Sequence, residues 1–115
     1  MGKRKAFCAE NLRALAILLF ASAAVLMVCS MNSWLYSFNP CTDVNIISTV
    51  GRGMFDGLVP YRDLVEQKGP LLFALFGLGE MLVPGTHHGL YVLEALFVAG
   101  AMFFGWKTIR LYLPG

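Results

Sequence analysis

Charge is scarce in this chain. Of its 115 residues only 14% are Asp, Glu, Lys or Arg, while 57% are hydrophobic; an average soluble domain carries about 25% charge. The net charge of +2 is spread along the whole length. That pattern excludes a disordered polyelectrolyte tail and leaves no basic patch for nucleic acid. Cysteine is scarce as well. Cys8, Cys29 and Cys41 are odd in number and form no Cys-x-x-Cys pair, so neither a disulfide framework nor a zinc site is indicated. His87 and His88 are adjacent, far from any thiol, and read as turn residues. No glycine-rich phosphate loop or Ser-His-Asp order occurs, which removes kinase and hydrolase readings.

Long hydrophobic runs are what the sequence does have. No charge occurs between Arg13 and Asp43, and the centre of that stretch, Ala14 to Val28, is almost wholly apolar. A bilayer core of about 30 Å takes about 20 apolar helical residues, so the run predicts a transmembrane helix. Lys3, Arg4, Lys5 and Arg13 precede it against the single acid Glu10. Such a basic flank stays in the cytoplasm and sends the helix outward, with Trp34, Tyr36 and Phe38 at the far interface. The apolar run exceeds a typical signal-peptide core, so an uncleaved anchor is expected.

Residues 39–70 change character. Asn39-Pro40 is a helix-start signature. Val44, Ile47, Val50 and Met54 then recur at spacings of three and four, with Asp43, Ser48, Arg52 and Asp56 between them. That periodicity predicts an amphipathic helix lying on the outer surface and ending at Gly57. Two further apolar stretches follow, Leu71 towards His88 with Glu80, and Leu90 to Trp106 with Glu94. They are expected to pack together, with Gly77, Gly79 and Gly100 allowing close approach. A carboxyl at membrane depth needs a partner or a wet cavity.

The expectation is an all-α, multi-pass cell-membrane protein with about three transmembrane helices and an amphipathic juxtamembrane helix in the first outer loop. Its parts are a cytoplasmic basic N-terminus (1–13), transmembrane helix 1 (14–38), the extracytoplasmic loop (39–70), transmembrane helix 2 (71–88) and transmembrane helix 3 (89–113). Three crossings leave Lys107 and Arg110 outside, against the positive-inside rule.

One block of the loop carries a resemblance. Asp43 is followed by Gly53-Met54-Phe55-Asp56-Gly57-Leu58-Val59-Pro60-Tyr61-Arg62-Asp63-Leu64 and then by Gln67-Lys68-Gly69-Pro70-Leu71-Leu72-Phe73. This order resembles the first outer loop of bacterial GT-C superfamily membrane glycosyltransferases, similar to protein O-mannosyltransferases and to lipid A aminoarabinose transferases. The stretches Gly89 to Glu94 and Lys107 to Arg110 look like a later membrane helix of the same proteins. Family members are much longer, so the resemblance implies an amino-terminal portion of an enzyme, inactive as 115 residues alone.

The resemblance implies transfer of a sugar from a polyprenyl phosphate in the bilayer to an extracytoplasmic acceptor. Asp43 is then the catalytic base or a ligand of a divalent metal; read from position alone, an acid in a first helical turn only complements the helix dipole. Arg62 and Lys68, and after them Arg52, become candidate phosphate partners, although four loop acids could pair with these three cations. Tyr61 packs the turn or meets the sugar. The implied partners are the lipid bilayer, the polyprenyl-phosphate sugar, and C-terminal transmembrane helices or a partner membrane subunit. An alternative from another class is a small non-catalytic membrane subunit or relic that packs against a larger protein.

Overall fold

In a computed structural model describing residues 2–113, the chain forms four helices and no strand among those residues: α1 (Gly2–Cys29), α2 (Thr42–Phe55), α3 (Pro70–Leu82) and α4 (His88–Tyr112). Met1 of the basic N-terminus and the Pro114-Gly115 end lie outside the described residues, as do the side chains of Lys3, Arg4 and Lys5. Two helical stretches, Ala9–Cys29 and His88–Tyr112, are long and apolar enough to cross a membrane.

These two long helices pack antiparallel. At one end Arg110 pairs with Glu10, and the Lys107 ammonium donates to Asn11 Oδ1. Midway, the Ser22 hydroxyl lies within hydrogen-bond reach of the carbonyls of Leu19 and, across the interface, Ala95. At the other end the Tyr91 hydroxyl donates to the Ala23 carbonyl at 2.7 Å, and Ser30 donates to Glu94 at 2.5 Å. Lys107 and Arg110 therefore lie at the same end of the pair as Glu10 and Asn11.

Several boundaries differ from the sequence expectation. α1 begins in the basic segment at Gly2 and ends at Cys29 rather than at 38. Residues after Cys29 turn back on the helix instead, because the Ser33 hydroxyl donates to Met27 O and the Tyr36 hydroxyl to Val28 O. α3 stops at Leu82, short of 88. Its 13 residues rise about 20 Å, less than the roughly 30 Å of a hydrocarbon core.

α2 and α3 pack against each other around a small core of Ile47, Val50 and Phe73, edged by Met54, Leu64, Leu72 and Phe76. Its closeness comes from two glycines. A Cβ on Gly51 would strike the backbone of Phe73 and Gly77, and one on Gly77 would lie 2.5 Å from Gly51 O. Gly79 similarly admits Leu90 of α4, whereas Gly100, expected to act alike, has nothing within 4 Å. α2 ends in a Schellman turn: Leu58 N–H donates to Gly53 O at 2.9 Å and Gly57 N–H to Met54 O at 3.1 Å, with Gly57 at φ 91°.

Candidate functional site

The loop between α2 and α3 carries most of the sequence-nominated residues, and it folds as one tight turn. Asp63 Oδ2 accepts the Val59 N–H at 2.8 Å, and Tyr61 N–H donates to Leu64 O at 2.8 Å. Tyr61 sits at φ 68°, a left-handed conformation uncommon for a bulky side chain. Its hydroxyl donates to the Lys68 carbonyl at 2.5 Å and its ring lies 6.1 Å from that of Phe73. Tyr61 thus joins the Pro60–Asp63 stretch to the start of α3 and to the α2–α3 core. Such strain persists only where surrounding contacts over-determine it, and it concentrates at functional sites.

The cations separate into two kinds. Arg62 is engaged by its neighbour, its guanidinium meeting Asp63 at 2.9 and 2.8 Å. That contact raises the Arg62 pKa; with the Val59 amide adding a second bond, it holds the Asp63 carboxyl below its ordinary value. Lys68 and Arg52 form no ion pair among the described residues. Lys68 stands beside the amino end of α3, where Gly69 caps the helix without a side chain and Pro70 follows. Pro70 has no N–H and the Leu72 amide donates to Gly69 O, so the attraction for an anion there comes from the ammonium and the positive end of the helix dipole.

Asp43 is exposed in the first turn of α2, as expected, although the helix starts from Cys41 and not from Asn39-Pro40. Arg52 lies nine residues further along, about 180° around the helix and roughly 13 Å up its axis, so the two cannot face one small ligand from α2 alone. Among the described residues no group of three or more His, Cys, Asp or Glu side chains converges for a metal, at Asp43 or elsewhere.

Sequence reasoning missed the residues that fix where α2 begins. The Asn32 amide donates to Glu94 Oε1 at 2.7 Å, and the Asn39 amide donates to Asn32 Oδ1 at 2.7 Å. Asn39 Oδ1 in turn accepts the Cys41 N–H at 2.8 Å, and Asn39 O accepts from the Asn45 amide at 3.1 Å. Asn39 therefore acts as a bridge rather than a cap, and this relay ties the Asp43 turn to α4. Trp34, expected in an interfacial belt, stacks on His88 with ring centroids 5.1 Å apart and meets Tyr91 edge-on. The only hint in the sequence is that Ser30, Asn32 and Asn39 follow an apolar run that gives no other reason for polar side chains there.

Two concavities flank the α2–α3 pair. An apolar groove of about 340 Å³ between α1, α3 and α4 is lined by Leu26, Leu75, Phe76, Leu93 and Phe97, with Glu94 on one wall. A smaller cleft of about 220 Å³ between α2 and α3 brings Arg52, Asp56 and Glu80 together. Comparison of the chain with family models, with curated proteins and with solved structures finds no match.

Proposed function

We propose that this chain crosses the membrane twice, through α1 and α4, with its basic N-terminus in the cytoplasm and the α2–α3 pair on the outer face. The antiparallel packing supports this reading, because two crossings return Lys107 and Arg110 to the side of Arg13 and remove the conflict with the positive-inside rule. α3 then lies at the interface as a second juxtamembrane helix.

On this outer face we propose the amino-terminal part of a glycosyltransferase that uses a polyprenyl-phosphate sugar. The observation that carries it is the Tyr61 turn, which folds the two most motif-like stretches of the sequence into one unit at considerable local strain. An acceptor hydroxyl attacks the anomeric carbon and gives its proton to the Asp43 carboxylate. The bond from that carbon to the phosphate oxygen breaks, and the phosphate leaves with the electron pair. Lys68 and the amino end of α3 receive the anionic leaving group, while Arg62, held by Asp63, stiffens the turn. The isoprenoid tail lies in the apolar groove beside Leu75 and Phe97.

The test is sugar transfer by the complete enzyme carrying Asp43→Asn. Loss of general-base catalysis should lower turnover about 10²–10⁴-fold with insertion unchanged. Normal turnover by a well-inserted variant removes Asp43 from the reaction. In the second reading, a non-catalytic subunit, the exposed apolar side chains on α1 and α4, among them Phe20, Val25 and Phe104, meet a larger membrane protein instead of lipid. It predicts no transfer in any context and stable co-purification with a larger membrane protein.

A further inference from the structure

Glu80 lies near the end of α3 and is only 8% exposed. Among the described residues it makes no hydrogen bond and no ion pair. With no protein donor or cation to compensate it, this largely enclosed carboxylate gains from one that a ligand supplies. Arg52 lines the same cleft and still does not come within ion-pair distance. With Asp56 as the third ionisable group there, the cleft holds two acids against one base. It is complementary to a cation that brings N–H donors of its own.

We propose that this cleft binds the primary ammonium of a membrane lipid headgroup, with the Glu80 carboxylate as its receptor. The size fits a small group, since about 220 Å³ falls below the roughly 300 Å³ at which drug-sized pockets begin. The surroundings indicate a lipid rather than a soluble amine. Phe55 and Met81 line the cleft and are 53% and 58% exposed, so its rim is greasy. Pro84 and Gly85 close it at the turn into α4, one end of a helix long enough to span, where headgroups lie. Arg52 stands where it can meet the headgroup phosphate, and Asp56 gives the ammonium a second acceptor. This rests on the proposed two-crossing arrangement but not on sugar transfer, so the lipid site and the transferase reading can fail separately.

The full chain in nanodiscs containing equal phosphatidylethanolamine and phosphatidylcholine provides the test. The two lipids carry the same charges, and only the first offers N–H groups. A charge-assisted hydrogen bond is worth about 1.5–3 kcal/mol, so native mass spectrometry should find the ethanolamine lipid retained about tenfold or more over the choline lipid. Glu80→Gln should bring that ratio close to one at unchanged helical circular dichroism. Equal retention by the native chain, or an undiminished preference in the variant, overturns the proposal. A second measurement needs no variant. A water-soluble carbodiimide activates a carboxyl group, and an amine in contact displaces the urea to form an amide. The lipid amine should couple to Glu80 ahead of the exposed Asp43 and Asp63. Coupling to those exposed acids as readily as to Glu80 contradicts the site.

Discussion

The two helix pairs of this molecule are held together by opposite means. α1 and α4 are apolar over most of their length, yet their specific contacts are polar: Ser22 with Ala95 O, Tyr91 with Ala23 O, Ser30 and Asn32 with Glu94, and Arg110 with Glu10. α2 and α3 sit around an apolar core and approach backbone to backbone at Gly51 and Gly77. In the proposed two-crossing arrangement, the difference follows from the solvent. In hydrocarbon there is no gain from hiding one leucine against another, so a few hydrogen bonds and close packing specify the pair. At an interface, with water on one side, burying Ile47, Val50 and Phe73 drives association in the ordinary way.

That contrast can be broken at its strongest point first. Gly51→Val places side-chain atoms where Phe73 O and Gly77 N stand, and neither is free to move away. Overpacking of this kind costs about 1–3 kcal/mol or more, so the α2–α3 pair should separate and the chain become more readily cleaved by trypsin at Arg62 and Lys68 while α1 and α4 stay paired. Unchanged protease resistance would mean that the glycine contact does not set the α2–α3 packing.

A smaller effect is expected between the long helices. Glu94→Leu leaves the Ser30 hydroxyl and the Asn32 amide without their acceptor. Interhelical hydrogen bonds in membranes are worth about 0.6 kcal/mol on average, so the pair should lose about 1 kcal/mol in detergent unfolding. Because the relay runs on through Asn39, the Cys41 amide should also exchange faster. A variant as stable as the parent, with Cys41 still protected, would separate α2 from the α1–α4 interface.

The smallest effect lies in the exposed turn. Arg62 and the Val59 amide hold the Asp63 pKa below its ordinary value, so their contribution is complete above that value and is lost as pH falls through the lowered one. The Val59 amide resonance should therefore move only below the usual aspartate range. Movement within or above that range would show the turn bond to be absent.

How much of this was legible in the sequence differs between the same two pairs. The apolar centre of α1, the span of α4 and the buried positions Ile47 and Val50 follow from hydrophobic period and length, both local properties. The turn at Pro84-Gly85 is legible, but a helix expected over 71–88 overshoots α3, because no charge between Glu80 and His88 marks its end at Leu82. The Asn32–Glu94 contact joins residues 62 apart in sequence, and no periodicity encodes such a distance. The loop motif indicated that Tyr61, Arg62 and Lys68 belong together. The charge count showed that loop acids could pair with its cations, but which acid takes Arg62, and that Arg52 shares a cleft with Glu80, depend on the folded turn.

The two-crossing arrangement carries the rest, and labelling tests it directly. Two single-cysteine forms suffice, one keeping Cys41 and one with Cys41 removed and Thr108→Cys added, each without Cys8 and Cys29. In intact cells an impermeant maleimide should react at Cys41 on the α2 side and leave position 108 unmodified until the membrane is opened. Labelling of both positions from outside would place the two ends of α4 differently and contradict the account.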